Sequence, residues 1–287
     1  MANTVSAYNL SGGPASTNPI LYNLSNPDGL AVSGDDLYVA NSGVNTIAEY
    51  NLTTMNEVGS GPLISGAGSD LSKPADIQFY NGDLYVVNFG NGDVKRYDPT
   101  TGALIGGAPL VTGLDYPSYL AISNGDLYVS TSNAVYAYNA ATGAPLVSGA
   151  LINNQYGSAG LAVNGNELYV ADEGAGTVTL YNATTGVQIG SAPLISGLKD
   201  PTKIELYDGD LYVSDDGGAN MITVYDATTG LPVLGSYPGS SCSGNFTIVG
   251  GDSVPVPEPS TWALLVAGLL LLGWRVRARS ASRVGSA

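Results

Sequence analysis

Apolar positions along the chain come in short runs cut by Gly, Pro, Asn and Asp, and the whole pattern returns at a nearly constant interval. The tripeptide Leu-Tyr-Val begins at Leu37, Leu84, Leu127, Leu168 and Leu211, with spacings of 47, 43, 41 and 43 residues. Each unit divides into four short strands. The first is an apolar run after Pro or Gly: Gly29 to Val32, Ala75 to Phe79, Tyr119 to Ile122, Gly160 to Val163 and Lys203 to Leu206. The second is the Leu-Tyr-Val run, reached through Asn81-Gly82, Asn124-Gly125, Asn164-Gly165 or Asp208-Gly209. Such dipeptides accept positive φ and suit tight hairpins. The third ends in Tyr50, Tyr97, Tyr138, Tyr181 or Tyr225, and Thr-Gly turns follow at Thr101-Gly102, Thr185-Gly186 and Thr229-Gly230. The fourth is expected to start at Pro62, Pro109, Pro145, Pro193 and Pro232, because proline is tolerated at a strand start or an edge.

Within these units no run is long enough for a helix before Gly or Pro stops it. The unit is therefore a four-stranded meander, and its length is that of a propeller blade. A lone sheet exposes two faces, and burying each Leu or Val is worth roughly 1.5 to 3 kcal/mol. Packing the sheets face to face around an axis gains that burial in every unit. A β-helix is the alternative, although its repeats are usually shorter. The fold expected is all-β, a six-bladed β-propeller: five clear blades and a sixth assembled from the two termini. Val5 to Tyr8 and Pro19-Ile20-Leu21 imitate a third and fourth strand, and Phe246 to Val249 with Gly250-Gly251-Asp252 imitates a first strand and its turn. The second strand of that blade is missing. Met1 to Leu10 also contains no apolar core of signal-peptide length, so an upstream segment is expected to supply both the signal and the strand; the alternative is a three-stranded sixth blade, or Val254 to Val256 standing in.

Composition supports an ordered β protein: 44% of residues are apolar, Gly numbers 39 and Tyr 19. Charge is split unevenly. Up to Glu258, five basic residues face 24 acidic ones, a balance of about −19 that repels DNA, RNA and anionic surfaces, so no nucleic-acid partner is expected. Cys242 is the single cysteine and forms no intramolecular disulfide.

The composition changes after Asp252. The chain divides into a propeller over 1–252, a Pro-rich linker over 253–260, and a segment over 261–287 that combines an apolar stretch with an Arg-rich end. From Trp262 through Leu265 and Leu270 to Trp274 there is no charge, and Arg275, Arg277, Arg279 and Arg283 follow. Thirteen helical residues rise about 20 Å, a marginal span for a hydrocarbon core near 30 Å. Tryptophans at both ends suit the interfaces, and the arginines hold the terminus on the cytoplasmic side. The three parts in order, Val256-Pro257-Glu258-Pro259-Ser260, the apolar stretch and the Arg cluster, closely resemble the PEP-CTERM sorting signal of Gram-negative bacteria. The resemblance implies processing by exosortase, a membrane-embedded protease. It also implies transient residence in the inner membrane, a final address at the cell surface or outside it, and an association with exopolysaccharide and biofilm. A plain uncleaved anchor is the alternative.

The repeats resemble those of NHL-type six-bladed propellers, most clearly in Leu-Tyr-Val-Ala-Asp-Glu-Gly-Ala-Gly-Thr-Val from Leu168 to Val178, echoed from Leu37 to Ile47. No Trp-Asp signature marks the WD40 class. The architecture serves unrelated activities, so the chemistry rests on the residues themselves. The absence of histidine excludes a Ser-His-Asp triad, a Cys-His pair and His-ligated zinc. No cofactor is expected, with calcium as the one candidate. Connections after second and fourth strands share one face, which gathers Asn41, Asn88, Asp172, Glu173, Asp215 and Asp216, with Asp28 and Asp76 near the innermost strands. Asn41, Asn88, Asp172 and Asp215 recur at one position of the repeat, as turn caps do. Glu205 interrupts the apolar pattern of an innermost strand and is a candidate acid or ligand in the central channel. Most tyrosines occupy fixed core positions; Tyr116, Tyr119, Tyr156 and Tyr237 do not, and are candidates for stacking on sugars. The function expected is binding of a polysaccharide or envelope protein partner. The alternative is a calcium-dependent lactone hydrolase of the gluconolactonase kind.

Overall fold

Leu and Tyr of each Leu-Tyr-Val run are neighbours on a strand, so they point to opposite faces of the sheet. That alternation builds the molecule. The structure, a computed structural model, describes residues 3–8, 20–66, 70–153, 157, 159–217, 221–233, 237–238 and 245–249. Sheet one contains β1 (Pro27–Ser33), β2 (Asp36–Asn41) and β3 (Thr46–Asn51); sheet two contains β4 (Pro74–Tyr80), β5 (Asp83–Asn88) and β6 (Asp93–Tyr97). Sheet three runs β7 (Leu120–Ser123), β8 (Asp126–Ser130), β9 (Ala134–Asn139) and β10 (Ile152–Asn153). Sheet four runs β11 (Ala159–Asn164), β12 (Glu167–Asp172), β13 (Thr177–Asn182) and β14 (Ile195–Ser196). Sheet five runs β15 (Pro201–Tyr207), β16 (Asp210–Asp215), β17 (Met221–Asp226) and β18 (Tyr237–Pro238). Every sheet is an antiparallel meander in chain order. The all-β class expected from the repeat is therefore observed, in five sheets among the described residues.

The leucines face the preceding sheet and the tyrosines the following one. Leu84 packs with Tyr38 between sheets one and two, Leu127 with Tyr85 between two and three, Leu168 with Tyr128 between three and four, and Leu211 with Tyr169 between four and five. All five tyrosines are buried. Two also donate a hydroxyl hydrogen to a carbonyl of the next sheet's turn, Tyr85 to Ala140 at 3.0 Å and Tyr169 to Ala227 at 3.2 Å. At the chain ends, other segments replace the missing neighbour. Leu37 packs against Val5, Leu21 and Leu24, and Tyr212 is grouped with Phe246 and Ile248. Val5 bridges Leu21 in antiparallel fashion. These are the end segments expected to build a composite blade; Pro19 and 250–252 lie outside the described residues.

First strands of successive sheets lie side by side, β1 by β4, β4 by β7, β7 by β11 and β11 by β15, and so form the inner edge. The array is curved. Lys203 on β15 of sheet five meets Asp76 on β4 of sheet two at 2.8 Å. Packed sheets stand about 10 Å apart, so a linear stack would separate those residues by roughly 30 Å. A β-helix is ruled out by the same contact.

One boundary differs from the sequence reading. The outer strand forms after Pro62, Pro109 and Pro193, through Ile64, Val111 and β14. Pro145 and Pro232 instead bridge Tyr138 and Tyr225 in the hairpin that follows the Thr-Gly turn, where the other sheets place Glu57, Leu104 and Gln188. The outer strand of sheet three is β10, preceded by Ala150 and Leu151 rather than by proline. Proline fits both places because each is an edge segment that leaves its nitrogen unpaired.

Among the described residues no helix is long and apolar enough to cross a membrane. The linker, the sorting sequence 256–260, the apolar stretch 262–274 with its expected helix, and the arginines up to Arg283 lie outside the described residues.

Candidate functional site

The inner edge of the array is polar where β1, β4 and β15 begin. Asp76 is 1% exposed and Lys203 7%, and their ion pair crosses the centre. The second carboxylate oxygen of Asp76 accepts the backbone N–H of Leu120 at 3.0 Å. Both of its oxygens are thus engaged. The Lys203 ammonium also lies 5.6 Å from the centroid of the buried Tyr119 ring. Burial works against the lysine's charge, but facing Asp76 and Glu205 outweigh it and hold its pKa above the ordinary value. Burial raises the Tyr119 hydroxyl far above its usual range, and the surrounding carboxylates of Asp76, Asp216, Asp28 and Glu173 add to the effect. Burial likewise raises Asp28, offset in part by the Ser42 hydroxyl.

Glu205 sits two residues after Lys203 on the same side of β15, partly buried, and accepts the backbone N–H of Ile248 at 2.9 Å. Burial pushes its carboxyl up to about 7, against the pull of Lys203 and of the Ile248 and Thr247 donors. The carboxylate expected as a candidate acid or ligand in the channel thus accepts a backbone hydrogen from the segment 245–248.

The recurring strand-end residues are scattered, one per sheet, and each fastens a loop. Asn41 Oδ1 accepts the N–H of Ser25 at 3.2 Å and Asn88 Oδ1 that of Ser72 at 3.3 Å. Asp172 Oδ1 accepts the N–H of Ala175 at 2.9 Å, and Asp215 Oδ1 that of Asp200 at 2.8 Å. Asn88 also donates to Asp93 at 2.8 Å, beside the buried Lys95. Asp216 lies by Ser214 and Thr202. Among the described residues no three acidic or cysteine groups gather closely enough to hold a metal ion. Tyr119 is buried beneath Lys203 and Tyr116 is exposed, whereas Tyr156 and the side chain of Tyr237 lie outside the described residues.

Sequence reasoning missed Lys203. One signal was available: only five cations occur before the tail, and this one stands in an apolar innermost strand two residues from Glu205.

Residues 255–279 match the model of the PEP-CTERM protein-sorting motif. Residues 90–189 match a family model described as outer membrane protein assembly factor BamB. No curated protein matches the sequence. A chain in the crystal structure of a nidogen/laminin complex, a β-propeller, is similar with a TM-score of 0.60 at 15% identity, over 74% of this chain and 79% of that one. That likeness concerns the fold alone. The chain thus joins a propeller-type all-β body to a PEP-CTERM motif, which implies recognition by exosortase, a transient membrane-anchored state and export.

Proposed function

We propose that this is a non-enzymatic binding protein: a propeller over 1–252, anchored through 261–287, cut by exosortase near 256–260, and displayed at the cell surface or outside it to hold a polysaccharide or envelope protein. The observation that carries this reading is the commitment of the polar groups. Asn41, Asn88, Asp172 and Asp215 each accept a loop amide, and Asp76 has both oxygens occupied. A calcium-dependent hydrolase needs several carboxylate oxygens free to meet an ion and a substrate at once. Here the same oxygens fasten loops and neutralise a lysine, and that supports a rigid scaffold whose exposed loops do the work.

Two measurements test the proposal. Mass spectrometry of the protein from cells and medium is expected to find chains ending near Pro259, and full-length chains alone would remove the processing step. Metal analysis of the purified protein with a lactone and ester screen is expected to give no stoichiometric calcium and no turnover. Turnover abolished by Asp76→Asn would overturn the binding reading, as would failure to retain either secreted polymer or envelope proteins on the immobilised chain.

A further inference from the structure

The loops entering the first strands of sheets one, two and three end in a residue followed by proline: Asn26-Pro27, Lys73-Pro74 and Tyr116-Pro117. All three leading residues have positive φ, 46°, 47° and 50°. Asparagine adopts that conformation readily, whereas a bulky residue does so at a cost. The loop shape belongs to the repeat, but the side chain carried on it changes from sheet to sheet. In sheets two and three the changes converge on Phe89, the residue after Asn88.

Tyr116 is 59% exposed, and its ring lies 5.3 Å from that of Phe89, centroid to centroid, tilted by 41°. The Lys73 ammonium lies 5.9 Å from the Phe89 centroid. Phe89 N–H donates to Lys73 O at 3.1 Å, which fixes the two loops together. Among the described residues Lys73 has no carboxylate partner, although acidic groups greatly outnumber cations. Exposed Asp115, next to Tyr116 in the chain, accepts the Ser132 hydroxyl at 3.3 Å through one oxygen, and among the described residues its other oxygen has no donor. Two rings and a cation thus occupy one patch, with the carboxylate of Asp115 on the residue before Tyr116, and covering Phe89 uses only part of the Tyr116 surface.

We propose that Tyr116, Phe89 and Lys73 form the platform on which a pyranose ring of an uncharged polysaccharide stacks; this rests on the binding reading above. A pyranose offers a flat face of C–H groups with hydroxyls at its rim. The face covers the exposed tyrosine ring and removes apolar surface from water. Lys73 donates to a rim oxygen, and Asp115 accepts from a hydroxyl. A polyanion is disfavoured because the protein before its tail is strongly negative.

The test is native gel electrophoresis of the detergent-solubilised full chain through gels containing dextran, mannan or hydroxyethylcellulose, with alginate as the polyanionic comparison. At least one neutral polymer is expected to retard the protein. Tyr116→Gly should weaken that retardation about tenfold while leaving the thermal midpoint unchanged or higher, since glycine accepts the positive φ. Tyr116→Phe should keep it and Lys73→Ala weaken it. Retardation that survives Tyr116→Gly would overturn the platform and leave the binding reading intact. Passage of the wild-type chain unretarded through all three neutral gels would also overturn it, whether or not alginate binds. The binding reading itself would then stand or fall on the retention experiment above.

Discussion

At the level of single residues, the repeated tyrosine does two jobs that one strand position makes possible. Its ring fills the gap to the next sheet, and in sheets two and four its hydroxyl reaches that sheet's backbone. Tyr169→Phe keeps the ring and strands the buried carbonyl of Ala227. Chemical denaturation is expected to show a loss of about 1 to 2 kcal/mol, and an unchanged midpoint would remove the hydroxyl from the account. Lys203 has a different leverage, because it balances a carboxylate far away in sequence. Lys203→Met leaves Asp76 buried without its cation and should cost about 3 to 5 kcal/mol by the same measurement. Adding Asp76→Leu should restore only part, since Leu120 N–H then loses its acceptor. The tyrosine core was legible because a period-two pattern beside a fixed repeat needs no knowledge of other blades. The Lys203–Asp76 pair was not, because its partners are 127 residues apart and no spacing announces a contact across a ring.

Among elements, the Thr-Gly turn shows how a local signal hides a tertiary demand. In the sequence it reads as a hairpin turn and nothing more. In the structure Asp98, Asn139, Asn182 and Asp226 accept N–H bonds from the residues two and three ahead, and the following glycine takes positive φ. A Cβ there would also strike a backbone carbonyl of the preceding sheet's outer segment: that of Leu63 for Gly102, Leu110 for Gly143, Leu151 for Gly186 and Leu194 for Gly230. Sheet one has Met55 at this position, packed with the group that contains Val5 and Leu21 instead of an outer strand. Gly143→Ala is therefore expected to cost well over the roughly 1 kcal/mol of Gly125→Ala, whose Cβ would meet nothing within 4 Å. Equal losses in thermal unfolding would show that only φ matters. The misplaced fourth strands of sheets three and five have the same origin: proline marks an edge without saying which one.

Glu205 carries the pH dependence of its element. With a folded carboxyl near 7 and an ordinary value of 4.5, the folded protein keeps a proton that the unfolded chain releases between those limits. Its contribution to stability is greatest at low pH, declines as pH rises from 4.5, and levels off above 7, a span of roughly 3 kcal/mol. The ionisable groups facing it are Lys203 and Asp76. Glu205→Gln should flatten that slope and raise the thermal midpoint at pH 8, where the wild-type carboxylate is charged. A slope unchanged in the variant would assign the titration to another group.

On the scale of the whole molecule, each interior sheet is held by leucine on one side and tyrosine on the other, which leaves one unmatched face at either end of the series. The N-terminal segment covers Leu37 and the segment 245–248 lies by Tyr212, so the two ends of the body supply what a further repeat would have supplied. The sequence showed these fragments as imitations of strands, but not what they cover, because burial depends on a neighbour the pattern does not name. The role of 245–248 is separable from that of the tail, since the compact body runs Met1–Ile248. A chain ending at Ser253 is therefore expected to unfold at the same denaturant concentration as the full chain, whereas one ending at Gly244 should lose several kcal/mol through exposure of Tyr212 and loss of the Glu205 bond to Ile248. Hydrogen exchange localises the effect: the shorter chain should lose protection first in β15, β16 and β17, with sheets two and three affected least, because they keep both neighbours. Equal stability of the two truncated chains would mean that the last sheet tolerates an open face, and that export and cleavage of the tail place no demand on how the body closes.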